Sequence, residues 1–194
     1  SSIEFLLWFL PIFLIVYGIT PRKYRNLTLL VGSIVFYARG DVRYLPLLMI
    51  SILCNYFLGL HLAKRSPKTL WRKKLLLILT LGANLAVLLW FKDWGGSAGL
   101  PLGISFYTFQ ILSYQIDVYR GEVSREYSFL KFATYVIMFP KLISGPITRY
   151  GDISDSLTER TFTVRGLEDG MKLFILGLAA KVLLADRVGI LWHE

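Results

Sequence analysis

Charged side chains are scarce in this sequence: they make up 18% of it, against roughly 25% in ordinary soluble domains, while 55% of its residues are hydrophobic. That balance excludes a conventional soluble core and indicates a polytopic, all-α membrane protein. Cysteine is almost missing. Cys54 stands alone inside an apolar run, so neither an internal disulfide nor a cysteine metal cluster can form. The two histidines, His61 and His193, have no metal-ligand spacing, and each is better placed as an interfacial residue than as a base. No Gly-rich loop resembles a phosphate cradle and no serine sits in a nucleophile elbow, so the chain holds no complete catalytic set and implies no bound cofactor or metal. The formal charge of +9 lacks a basic face with interleaved aromatics, which argues against nucleic acid.

What the sequence has instead is long hydrophobic runs. Residues 3–20, 44–63 and 75–91 each approach the ~20 apolar residues needed to cross about 30 Å of hydrocarbon. The first lacks the basic region and cleavage site of a signal peptide, so it is expected as a retained helix, kinked at Pro11. The run at 27–38 is short, about 18 Å of helix, and becomes a span over 24–38 by borrowing its flank. Further spans are predicted over 101–120 and 129–148, with a last helix at 167–191. Connections carry +3 at 21–26, +1 at 39–43, +6 at 64–74 and 0 at 92–100. Basic loops are held on the cytoplasmic side, which predicts a bacterial cytoplasmic-membrane protein with its N-terminus outside. The chain begins without Met and stops at "ILWHE" after an apolar segment, as expected of the N-terminal portion of a single, longer membrane domain.

The stretch "GISFYTFQILSYQIDVYRG" (103–121) is long enough to cross a bilayer, yet polar. Pro101 can start its helix and Gly121 can end it. Tyr107, Gln110, Tyr114 and Asp117 then form one stripe, while Phe106, Phe109 and Ile116 fall largely on another face. A carboxylate facing hydrocarbon costs several kcal/mol, so the stripe must face protein or water. Two readings stay open. In one, these groups bond neighbouring helices and Asp117 pairs with Arg120; in the other, they line a hydrated path or substrate cavity.

"FPKLISGPITRY" (139–150) poses the same problem for the backbone. Gly145 and Pro146 break the helix, and irregular backbone at membrane depth survives only where protein or water satisfies it, which predicts a broken or re-entrant helix. Lys141 and Arg149 could meet a phosphate or an acidic sugar; snorkelling to headgroups is the ordinary use of Arg149. Lys181 falls in an apolar segment with Asp186 five residues on, a poor offset for pairing, whereas Glu168 and Lys172 suit an i,i+4 pair.

Taken together, "SSIEFLLWFLPIFLIVYGI", "YRNLTLLVGSIVFYA", "LPLGISFYTFQILSYQIDVYRGE" and "MFPKLISGPITRYGDI" closely resemble the N-terminal half of the membrane-bound O-acyltransferase family, in its bacterial alginate O-acetyltransferase branch. The resemblance runs over almost the whole chain. It implies a helical funnel that takes an acyl group from a cytoplasmic thioester, acyl-CoA or an acyl carrier, to an extracytoplasmic acceptor. That acceptor would be a polysaccharide, reached directly or through an acetyltransferase-like partner. It also implies a catalytic histidine in a later helix, beyond Glu194. Tyr107, Gln110, Tyr114 and Asp117 would then wall the funnel's hydrated interior, with Lys141 where many relatives carry His or Gln. The rival classes are a transporter or flippase, and a noncatalytic scaffold.

Overall fold

A computed structural model describes residues 4–62, 70–94, 99–142, 145–160, 163–180 and 183, and among them every regular element is helical. The chain divides into two compact units, 1–158 and 159–194, each described by itself.

In the first unit, α1 (Leu10–Ile19) continues from a π-helical turn, Phe5–Phe9. Pro11 lacks an amide and its ring crowds the preceding turn, so the widened turn lies immediately before it. The apolar stretch Arg22–Leu62 is 41 residues long, about 61 Å as one straight helix and twice a bilayer's hydrocarbon. It is broken at Asp41, whose backbone is extended (φ −160°, ψ 82°), into α2 (Arg25–Asp41) and α3 (Leu45–Leu62). Those two helices lie against each other and against α6. α2 therefore reaches beyond the 24–38 expected of it.

α4 (Leu70–Leu89) starts within the stretch expected as a 64–74 loop and extends through a π-helical end, Trp90–Trp94. Trp71 and Trp90 lie about 28 Å apart along this helix at about 1.5 Å per residue, and are 75% and 57% exposed. Between them Ile78, Leu79, Leu85, Val87 and Leu89 are also exposed. Exposed aliphatics bounded by tryptophans at bilayer spacing mark a lipid-facing helix.

α5 (Ile104–Arg120) begins three residues later than Pro101 because Gly103 takes a left-handed conformation (φ 67°). A Cβ there would stand 2.5 Å from the Leu142 carbonyl oxygen, so only glycine allows this approach. Gly121 (φ 78°) closes the other end, its amide and that of Glu122 returning to the carbonyls of Val118 and Asp117.

The segment 129–148, expected as one span, is divided. α6 (Phe129–Ile137) ends at Met138, α7 (Phe139–Leu142) is one turn, and the chain then returns to α8 (Tyr150–Thr158). The return is marked at two depths: the Tyr135 hydroxyl meets the Thr148 carbonyl at 2.9 Å, and Lys131 Nζ meets Thr148's distant neighbour Thr158 at 3.0 Å. At the tip, the Phe139 amide donates to Ser33 Oγ of α2 (3.1 Å), and the Phe139 ring sits among Phe5, Phe9, Phe13 and Phe36. Because α2, α3 and α5 surround α6, Phe132 to Ile137 are all fully buried. A nine-residue helix is by itself far too short to cross a membrane.

In the second unit, α9 (Val164–Ala180) starts earlier than the predicted 167 because Thr163 accepts from the Gly166 amide through its hydroxyl. The predicted Glu168 to Lys172 pair forms, at 2.6 Å. Lys181, Asp186 and His193 lie outside the described residues, as do the loop positions Lys68 and Ser97.

Candidate functional site

The four stripe residues of α5 all face the protein interior: Tyr107, Gln110, Tyr114 and Asp117 are each no more than 5% exposed. Phe109, on the opposite face, is exposed. The periodicity of α5 thus sorts its polar and apolar sides as a helix at a lipid boundary requires.

Three tyrosines bind the lower half of the stripe to the re-entrant segment. Tyr114, Tyr135 and Tyr150 pack edge to face or tilted, with ring centroids 5.2 Å apart for Tyr114 and Tyr150 and 5.0 Å for Tyr135 and Tyr150. Tyr135 shares its hydroxyl proton between the Thr148 carbonyl and the Gln110 carbonyl at 3.4 Å. Tyr114 accepts from the Glu126 amide at 3.0 Å. The Glu126 carboxylate in turn accepts from Tyr150 and from the Ser128 amide. Burial, and then the Glu126 carboxylate, raise the Tyr150 phenol far above the ordinary tyrosine range, so it stays a donor.

Lys141 joins this group from α7. It is 7% exposed, donates to Thr148 Oγ1 at 3.1 Å, and holds its ammonium 4.3 Å from the centre of the Tyr135 ring. A cation over an aromatic face is stabilised when desolvated, and no carboxylate among the described residues pairs with it. Gly145 allows the return: a Cβ there would run into Lys141 itself. Pro146 is exposed. Arg149 reaches out to Glu122 at 3.8 Å. The expected Asp117 to Arg120 pair does not form; Arg120 turns to Glu122 at 3.5 Å.

Six buried atoms have no hydrogen-bond partner among the described residues: Arg25 Nε, Tyr37 Oη, Tyr107 Oη, Gln110 Nε2, Gln115 Oε1 and Asp117 Oδ2. Each such group costs about 1–3 kcal/mol. Three of the six belong to the predicted stripe. Tyr107 also borders a cavity of about 210 Å³ with Asn55, Asn84 and Thr108.

Sequence reasoning missed several polar partners. Asn55 of α3 and Asn84 of α4 bond reciprocally through their side-chain amides at 3.0 and 2.9 Å. Gln115 donates to the Asn55 carbonyl at 2.7 Å. A single asparagine in an otherwise apolar span was the available signal, since such residues seek partners across helices. Glu126 and Thr148 sit in connections and Tyr150 at the start of α8, where polarity is ordinary and carries no signal.

No family model matches this chain, and no solved structure does. Among known proteins it is 39% identical, over 98% of its length, to a Pseudomonas putida protein named probable alginate O-acetylase AlgI. It is 38% identical over 98% to the Pseudomonas aeruginosa protein of that name. A Helicobacter pylori peptidoglycan O-acetyltransferase is 31% identical over 94%. The chain spans about two fifths of these relatives' length, at 43%, 40% and 43%. With its helical membrane fold and this near-complete coverage of its own sequence, the chain is similar to the alginate O-acetylases, consistent with the N-terminal half of a membrane-bound O-acyltransferase.

Proposed function

We propose that the protein transfers an acyl group, acetyl by its relatives' names, from a cytoplasmic thioester donor to a hydroxyl of an extracytoplasmic polysaccharide, directly or through a partner protein. The observation that carries this reading is similarity across 98% of the chain to proteins named as O-acetylases. In the reaction the acyl carbon exchanges its C–S bond for a C–O bond, the hydroxyl loses a proton to a base, and the thiol leaves protonated. That base is the histidine expected beyond Glu194. This chain's part is to build one wall of the reaction space.

The orphaned Gln110 amide and Asp117 carboxylate support that role. Polar atoms buried in one part of a membrane domain are relieved by water or by groups from another part, and a hydrated interior supplies both. The tyrosine cluster with Lys141 holds the re-entrant segment beside them. A narrow site bounded in this way also limits thioester hydrolysis. The orientation proposed is a bacterial cytoplasmic membrane with the N-terminus outside. Opposite-side labelling at Lys68 and Ser97 is its test, and labelling of both from one side would end it.

The reaction is tested with labelled acetyl-CoA and the full-length protein in proteoliposomes, with and without its extracytoplasmic partner. Label on the partner or polysaccharide, lost with the downstream histidine, is the expected result. Folded protein that transfers no label from any acyl thioester would overturn the reading in favour of transport.

A further inference from the structure

At the end of α5 opposite Gly103 lies a half-open cavity of about 410 Å³, within the range of small-ligand sites. Its lining joins the end of α3, the start of α4 and the connection after α5 through Leu62, Lys73 and residues 118–121, 123–125 and 127. Lys73, Arg120 and Arg125 line it, and no carboxylate does. The nearest acid, Glu122, meets Arg120 at 3.5 Å and Arg149 at 3.8 Å, with its side chain half exposed. Lys73 pairs with no carboxylate among the described residues.

Arg125 is the best ordered of these cations. Its Nε donates to the Tyr127 hydroxyl at 2.6 Å and its Nη1 to the Leu60 carbonyl at 3.2 Å, while the guanidinium lies 4.6 Å from the Tyr127 ring centre. Those bonds fix the guanidinium and leave Nη2 without a protein acceptor among the described residues. Ser124 and Tyr119 add hydroxyls to the same lining. Trp71 stands on α4 two residues before Lys73, which puts the cavity at the level of the interfacial aromatic belt.

A fixed guanidinium, two further cations and hydroxyl donors around a roomy opening match a phosphate ester, whose oxygens accept several charge-assisted bonds at once. We infer that this cavity binds a phosphate-bearing ligand at the membrane surface. The chemistry is shared by the phosphodiester headgroup of an anionic lipid, which basic pockets between membrane helices commonly hold, and by the phosphates of a soluble cofactor ester. None of these residues belongs to the stripe or the tyrosine cluster; the lipid source is independent of acyl transfer, while the soluble source rests on the thioester donor proposed above.

The experiment uses full-length protein in two arms. In the first, phosphatidylglycerol is titrated into phosphatidylcholine nanodiscs and retained lipid is counted by native mass spectrometry. In the second, phosphopantetheine is titrated by calorimetry. Lys73→Gln alters a partly exposed side chain and Arg120→Gln an exposed one, with unfolding temperature checked for each; Lys23→Gln, a basic residue outside the cavity, is the control. Saturable binding in either arm is expected, weakened about 5-fold for each cavity cation removed and unchanged in the control. Saturation in the first arm alone identifies a lipid site, and in the second a soluble ester. Absence of saturation in both arms, or equal weakening by Lys23→Gln, would overturn the inference.

Discussion

The reciprocal amide pair between α3 and α4 allows the sharpest energetic test. Asn55 and Asn84 each donate one Nδ2 proton to the other's Oδ1, at 3.0 and 2.9 Å, and the second to the carbonyl one turn back, Ser51 at 2.9 Å and Thr80 at 2.8 Å. Replacing either by leucine keeps the branched heavy-atom skeleton but strands one acceptor and one donor of its partner. Interhelical hydrogen bonds in membranes average about 0.6 kcal/mol and reach about 1.7, so two of them predict a coupling of about 1–3 kcal/mol. The Gln115 bond to the Asn55 backbone carbonyl survives each change and does not enter the difference. The assay is a double-mutant cycle of Asn55→Leu and Asn84→Leu, with reversible unfolding in mixed micelles. Each single variant should cost about 1–2 kcal/mol, and the double should cost clearly less than their sum. Additivity within about 0.5 kcal/mol would refute the reasoning, because independent sites add.

Gly103→Ala should destabilise by more than 2 kcal/mol, since left-handed strain of about 1–2 kcal/mol is joined by a clash with the Leu142 carbonyl. Gly99→Ala shares the positive φ but has open space, and thermal unfolding should show only the smaller loss. Ser33→Ala removes the acceptor of the Phe139 amide, so hydrogen exchange at Phe139 should accelerate about 10-fold, from about 1–2 kcal/mol of lost protection. Asp117→Asn should keep assembly and unfolding temperature within error while lowering acetyl transfer about 10-fold or more, from a loss of about 1.4 kcal/mol. A misfolded variant would return Asp117 to a packing role.

Much of this architecture is legible in the chain because lipid enforces a simple code. The α5 stripe follows from a 3.6-residue period, and the burial of Gln110 and Asp117 follows from the cost of setting such groups in hydrocarbon. Gly145 is likewise legible as the place where helix must stop. Tertiary geometry is not. That Arg120 prefers Glu122 to Asp117 depends on the left-handed turn at Gly121, which swings the connection back toward the helix end. That α6 ends at Met138 depends on Ser33 and four phenylalanines of α1 and the α2 region receiving Phe139, none of which is local in sequence. The tyrosine cluster joins residues from three separate elements, and each tyrosine alone is an ordinary membrane residue.

The in-and-out path of α6 and α7 also bears on how the protein is made. Insertion machinery admits segments by their own hydrophobicity and length, and nine helical residues followed by four cannot qualify as a crossing. The segment is therefore expected to arrive late, slotting into a socket lined by Ser33 of α2 and by the polar side of α5. Two stages of membrane integration follow as an expectation: long helices are threaded first, and the short hairpin folds into them as a soluble protein folds its core.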